Sequence, residues 1–367
     1  MTFSISVRAP IIFQDDTSFH ERLDTEAEQY TITADVGYDK ASFLIRGNVE
    51  YLKAWFVAGL VRDVIWIAPD ARKAWQGYVS KMTMTIGAST RIRALSDLAN
   101  RIYYVYTALD TSTSPPTTGA QATITSNDTD SQSVYGIKSA TKSGGEIAAA
   151  TATTNAAALL DKRARVWEDG SDSFRGGKEP SLKVDMLGYA WMMDWFNYSN
   201  SSSGTVTRDA LIKLIAAADP NSILSTDYTN VDANSDTMRQ YYSGDRTSWA
   251  LIQKDCNAGT GGLRWVTGVY EGRKLTYKQA EGIDSNGDAL NANKHTIITR
   301  SIYDAGERFF DAAGRELRPW HIRPDRLVRT AGLSRDPQYI ETVSFSAPVG
   351  LEIRGTDSNP FRQMVLV

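Results

Sequence analysis

The chain has 367 residues, enough for two or three compact domains, and its 42% apolar and 23% charged residues exclude global disorder and a collagen-like repeat. A formal charge of −3 provides no electrostatic footprint for stable nucleic-acid binding, and one cysteine excludes an intramolecular disulfide framework and a multi-thiolate metal site. "MTFSISVRAPIIF" lacks the basic-then-apolar order of a secretory signal, and no uninterrupted apolar run reaches about 18 residues, so no membrane segment is expected.

Strand patterns come first along the chain. In "YVSKMTMTI", Tyr78, Met82, Met84 and Ile86 share one parity and Lys81, Thr83 and Thr85 the other, as a half-buried strand requires. "RIYYVYT" repeats this with Ile102, Tyr104 and Tyr106. Residues 111–133, "TSTSPPTTGAQATITSNDTDSQS", carry almost no large apolar side chain and read as an extended loop or linker. "GGEIAAATATTNAAALLDKRARVWEDG" has the composition of one long helix ending near Asp169-Gly170. A second break, 197–207, precedes a segment with its own helices. Thr207 is placed to cap a helix with an apolar stripe of Leu211, Leu214, Ile215 and Ala218, and Thr247 to cap one with Trp249, Ile252 and Cys256 on a single face. The last long alternation runs through Tyr339, Val343, Phe345, Val349, Leu351 and Ile353. Helices are thus a minority in a β framework, and the expected fold class is mainly β, a β-rich α+β chain.

Nucleophilic catalysis needs a base oriented beside a nucleophile, and the three histidines, His20, His295 and His321, accompany no Gly-x-Ser-x-Gly elbow. Cys256 falls on an apolar helix stripe and reads as a structural cysteine. Asp284, Asn286 and Asp288 alternate as in a calcium loop, but glycine stands at the fourth position instead of the sixth and His295 occupies the place of the bidentate glutamate. "DANSDT" (232–237) fails likewise, with Thr237 in the glycine place. "NAGTGGLRW" lacks a Walker lysine and reads as a helix cap and turn. Tyr189, Trp191, Trp195 and Tyr198 offer an aromatic platform for carbohydrate, yet Tyr189, Trp191, Met193 and Trp195 share strand parity, as core or interface packing requires. In "RPWHIRPDRLVR" (318–329), Trp320 and Ile322 share the inward parity of a strand, His321 and Arg323 point outward, Pro324-Asp325 makes a turn and "RLVRT" resumes a strand. The outward arginines then pair with carboxylates or a neighbouring subunit. No catalytic, cofactor-binding or metal residue, and no cofactor, is assigned.

Four segments, 75–107, 134–169 with its strand-like Tyr135-Gly136-Ile137 and alanine-rich helix, 248–279, and 317–329 with its Pro-Trp-x-x-x-Pro turn, together resemble the tail hub, or baseplate hub, proteins of long-tailed bacteriophages and related phage-derived particles. Where that family commonly has Pro-Gly at the turn, this chain has Pro324-Asp325. The resemblance implies a multidomain hub fold with two β-barrel-like domains and smaller domains between them. It divides the chain into a first barrel (1–110), a linker (111–133), a strand, long helix and return strand leading to the second barrel (134–199), an inserted α+β domain (200–300) and C-terminal strands completing that barrel (301–367). It also implies a homotrimeric ring at the distal end of a virion tail, a symmetry adaptor for DNA ejection. Its partners would be the tail tube or distal tail ring, the tape-measure protein and tip or spike proteins. The alternatives are a carbohydrate-binding tail-tip module and a tail-associated cell-wall hydrolase.

Overall fold

The alternating segments form strands, and their pairing is what organises the molecule. The computed structural model describes residues 4–10, 21–23, 25–171, 178–257, 265–279, 296–302, 306–311, 313–324, 327–330, 338–346 and 350–356. The fold is mainly β with a few helices, as the sequence patterns require. The long strand Lys73–Gly87 is the spine, flanked by Arg62–Ile67, Ser89–Ala94 and Lys178–Leu187. Its alternation is realised: Tyr78 and Met82 are buried while Lys81 is exposed. Lys178–Leu187 also pairs with Gly37–Arg46, which leads through Glu26–Thr33 to the C-terminal strand Gln338–Ser346. The segments expected to build two separate barrels therefore share one continuous sheet.

The C-terminal alternation is a hairpin in which Val343 faces Ile353 and Phe345 faces Leu351. A register shift between Ile340 and Thr342 lets Ile340 bury from the opposite parity. Phe345 stacks on Tyr30 with ring centroids 5.3 Å apart, joining the C-terminal strand to the core of the N-terminal half.

A second, smaller sheet stands apart. Arg101–Asp110 lies between Thr117–Asn127 (antiparallel) and Ser139–Ile147 (parallel), with the helix Ala149–Arg163 over one face. Ile102, Tyr104 and Tyr106 pack against Ala152 and Ala156 in a core of their own, the alanines letting helix and sheet approach closely. The linker reading of 111–133 is corrected here. Residues 117–127 of the expected linker form a strand, and 129–135 a short helix that Asp128 caps through the Ser131 N–H. Thr and Ile suit a half-exposed strand, and pairing with Arg101–Asp110 satisfies its backbone.

The long helix is likewise shorter than composition suggests. Gly144 lies against the Tyr104 ring and Gly145 takes φ +69°, so "GGEI" belongs to the preceding strand, while Glu168–Ser171 pairs with Ser89–Ala94. The Tyr-Gly-Ile element is a helix end rather than a strand: Gly136 stands at φ +78°, and Asn221 clamps both the N–H and the carbonyl of Ile137. Buried Asn100 ties this junction together, donating to the Gly136 carbonyl and accepting from the Lys138 N–H.

The helices of the 200–300 segment pack into the main core. In Arg208–Ala217 the buried stripe is Leu211, Ile212, Ile215 and Ala216, rotated from the expected one, and Leu214 faces outward. The helix Ser248–Asn257 buries Trp249 and Ile252 as expected, and the Ala250 N–H donates to the Thr247 hydroxyl at its start. No helix among the described residues is long and apolar enough to cross a membrane.

Candidate functional site

The charged stretch around His321 is a 3₁₀ turn, Pro319–His321, where strand parity predicts an extended segment. Burial follows the expected residues nonetheless, with Trp320 and Ile322 inside. The organising group is Asp70, distant in sequence. Its Oδ2 accepts the Trp320 indole N–H at 2.9 Å and lies 3.0 Å from His321 Nε2. Partial burial acts to raise the Asp70 carboxyl, but these contacts and the Arg72 N–H outweigh it and hold the group down at about 2. Arg323 does not point outward. It donates to the Trp320 and Ile322 carbonyls, and its guanidinium lies over the rings of Tyr38 and Tyr270. Arg318 keeps the expected outward pairing, 3.5 Å from Glu316. The arrangement pins a turn to the sheet.

The aromatic segment Tyr189–Trp195 is also a 3₁₀ helix, correcting the strand reading. Residues 189, 192 and 195 and residues 190 and 193 are buried, so the period is three. Core packing claims Tyr189, Trp195 and Tyr198, leaving Trp191 partly exposed with its N–H donated to Asp39 at 2.9 Å. The four-ring carbohydrate platform is therefore not assembled. Tyr189 instead donates to Asp63 at 2.6 Å, and Gln76 donates to the same oxygen at 3.1 Å. Burial pushes the Asp63 carboxyl up, against these hydrogen bonds and the fields of Arg8 and Arg273. Patterning did not single out Asp63, because its polar partners come from separate elements.

Beside Trp195 opens a cleft of ≈ 750 Å³ at the base of the small sheet. Its floor includes Tyr78, Leu187 and Trp195, its walls Ser96, Asp97 and Lys138, and its rim Arg165 and Trp167. Lys138 donates to the Leu95 and Ser96 carbonyls and lies over the Trp195 ring, and burial with the nearby Arg163 brings its ammonium down to about 8 despite Asp97. Burial raises the Asp194 carboxyl, opposed by the Thr247 hydroxyl that donates to it. Trp167 is 65% exposed, although its indole N–H is fixed to the Lys162 carbonyl at 3.0 Å. Composition predicts Trp167 inside the long helix, but the helix ends at Arg163. The available signal was an aromatic isolated among charges in "RVWED".

His20, His295, the 284–295 loop and residues 258–264 lie outside the described residues, and so does the side chain of Cys256. In 232–237, Asn234 donates to the Tyr277 hydroxyl at 2.8 Å and Asp236 lies 3.4 Å from the buried Arg208. These are structural contacts. Among the described residues no three His, Cys, Asp or Glu side chains gather as metal ligands.

No family model and no curated protein matches the chain. Among solved structures, the chain is similar to the 43 kDa tail protein of prophage MuSo2 from Shewanella oneidensis, with 9% identity, 98% of each chain covered and a TM-score of 0.45. It is similar as well to the tail protein from Neisseria meningitidis MC58, with 9% identity, 97% of each chain covered and a TM-score of 0.44.

Proposed function

We propose that the chain is a structural protein of a phage-type tail, acting as the tail hub. In this reading three copies form a ring at the distal end that joins the tail tube to tip or spike components and lets DNA pass. The four-segment sequence resemblance supports the reading. The observation that carries it is the way the described ionisable groups are spent. Asp63, Asp70, Asp194 and Asp236 each hold a structural element in place, while large apolar groups are left on the surface, among them Trp167, Tyr241 and Val57. Trp and Tyr are among the residues that subunit interfaces favour. A modest negative charge suits passage of DNA, since each neutralised phosphate would add affinity and retain it. The tape-measure protein and the tube or distal tail ring are the partners this role requires. The test is a particle reconstruction. Three copies in one ring at the tail end are expected, whereas six copies or one would overturn the reading.

A further inference from the structure

The small sheet has two edge strands, and they differ in how they are protected. Ser139–Ile147 carries exposed Lys142 and Glu146 and breaks register between Ser143 and Glu146, where Gly145 takes φ +69°. Charges and a bulge of this kind keep an edge from accepting another strand. Thr117–Asn127 pairs regularly with Arg101–Asp110 from Gln121 to Asn127, and no strand among the described residues pairs with its outer side. Every second residue there turns its N–H and carbonyl outward, and the run from Thr111 to Asn127 holds no charge. An unpaired row of backbone donors and acceptors is complementary to a β-strand.

The helix above the sheet selects which strand. Ala149–Arg163 lies over Arg101–Asp110 and Thr117–Asn127 more than over Ser139–Ile147. Its last turn returns to the start of Arg101–Asp110, where the Ala99 N–H donates to the Arg163 carbonyl at 2.9 Å, so the helix runs parallel to Thr117–Asn127. Asn155 donates to the Tyr104 hydroxyl at 3.3 Å, and Gly144 lies against the same ring, which puts the Asn155 flank of the helix on the Ser139–Ile147 side. The opposite flank, beside the free edge, is Ala149, Thr153 and Ala157. All three are exposed, small and uncharged.

We propose that two copies of the chain pair antiparallel through Thr117–Asn127, joining their three-stranded sheets into one continuous sheet. A two-fold axis perpendicular to the sheet keeps both helices on one face. With strands about 4.8 Å apart and each helix centred over the two outer strands of its sheet, the helices run antiparallel about 10 Å from each other, the distance at which helices pack. Ala149, Thr153 and Ala157 of each copy then meet across the axis, and their small size permits that approach. A lone strand from another protein would fill the edge and leave this flank of the helix bare. Self-pairing also brings each side chain near its own copy, so a charge in the strand would face a like charge. The edge has none. The contact is isologous, one patch on both copies. A two-fold contact cannot close a threefold ring, so it belongs to the free chain and does not rest on the hub reading.

The test uses the full chain in solution. Analytical ultracentrifugation should show a monomer–dimer equilibrium, and amide exchange over residues 117–127 should slow as the dimer fills. Thr123→Lys on the strand and Thr153→Arg on the helix flank should each weaken the dimer about tenfold or more. Thr151→Arg, on the opposite flank, should leave it unchanged. All three side chains are exposed, and a parent-like circular-dichroism melt verifies folding of each variant. Should Thr123→Lys fail to fold, Thr153→Arg decides. A chain that stays monomeric, a dimer with fast exchange over 117–127, or a dimer that withstands Thr153→Arg overturns the pairing. Protection of 117–127 that arises only in assembled particles would give the edge to a strand of another tail protein instead. A dimer of this kind beside a particle with six copies or one would keep the pairing and remove the hub ring, while a trimeric ring built from a chain that never dimerises would do the reverse.

Discussion

Asp70 and Asp63 show how single carboxyls serve this fold with opposite signs. Asp70 is held below its ordinary value by Trp320, His321 and the Arg72 N–H despite partial burial, so its contribution is present above about pH 3.8 and is lost as pH falls toward about 2. Asp63 is raised by burial. Its contribution is full below the unfolded value near 3.8 and is lost as pH rises through the folded one. Asp63→Asn cannot ionise and keeps an acceptor for Tyr189. Urea unfolding across pH should show this variant gaining on the parent as pH rises from acid to neutral. Asp63→Ala should lose about 1–3 kcal/mol at acid pH, because the buried Tyr189 hydroxyl is left without its acceptor. At the turn, Trp320→Ala opens a cavity in the core and should cost about 3–5 kcal/mol. His321→Ala, with its ring only partly buried, should cost under about 1 kcal/mol. Equal losses in the two variants would contradict this account of the turn.

Among the elements, the small sheet and its hairpin respond to deletion in a position-dependent way. A two-residue Asn-Gly turn replacing Thr111–Pro116 would join Asp110 to Thr117, which already face each other. The melting temperature should stay near the parent value, since no residue of that tip enters the small core. Removing Ser112–Asp130 is a different matter. It strips Arg101–Asp110 of its antiparallel partner, takes Ile124 and Ala122 from the small core and deletes the Asp128 cap. Far-ultraviolet circular dichroism and proteolysis should show the 101–163 region opening. A linker would have tolerated the same deletion, so the experiment separates the two descriptions of this segment.

For the whole molecule, the seam between Glu26–Thr33 and Gln338–Ser346 ties the chain's two ends into one sheet. Truncation before residue 338 should therefore destabilise the N-terminal half, exposing Tyr30 and the strand edge beside it, rather than release an independent folded unit. Limited proteolysis and thermal melting of the truncated chain measure this. A parent-like melt would mean that the N-terminal half is self-sufficient.

Local patterning alone specifies the β framework and most of the faces that bury. Tyr78 and Met82, Ile102 and Tyr104, Val343 and Phe345, and Trp249 and Ile252 all lie inside, because side-chain periodicity is a local property of the backbone. It also marks Trp320 and Ile322 as inward-facing and the aromatic segment as core, while predicting strands where both 3₁₀ stretches stand; the predicted Pro324-Asp325 turn runs outside the described residues. Over four or five residues, alternate apolar positions fit a strand or a tight turn, and hydrogen bonds to distant groups select between them. Asp70 fixes one of these stretches from 250 residues away. Tertiary structure decided three further matters. It made 117–127 a strand by supplying a partner. It ended the alanine-rich helix at Arg163, where packing and the pairing of Glu168–Ser171 take over from propensity. And it left Trp167 on the rim of a cleft whose walls come from segments 95–98, 138 and 191–195, a meeting that no local pattern in the chain encodes.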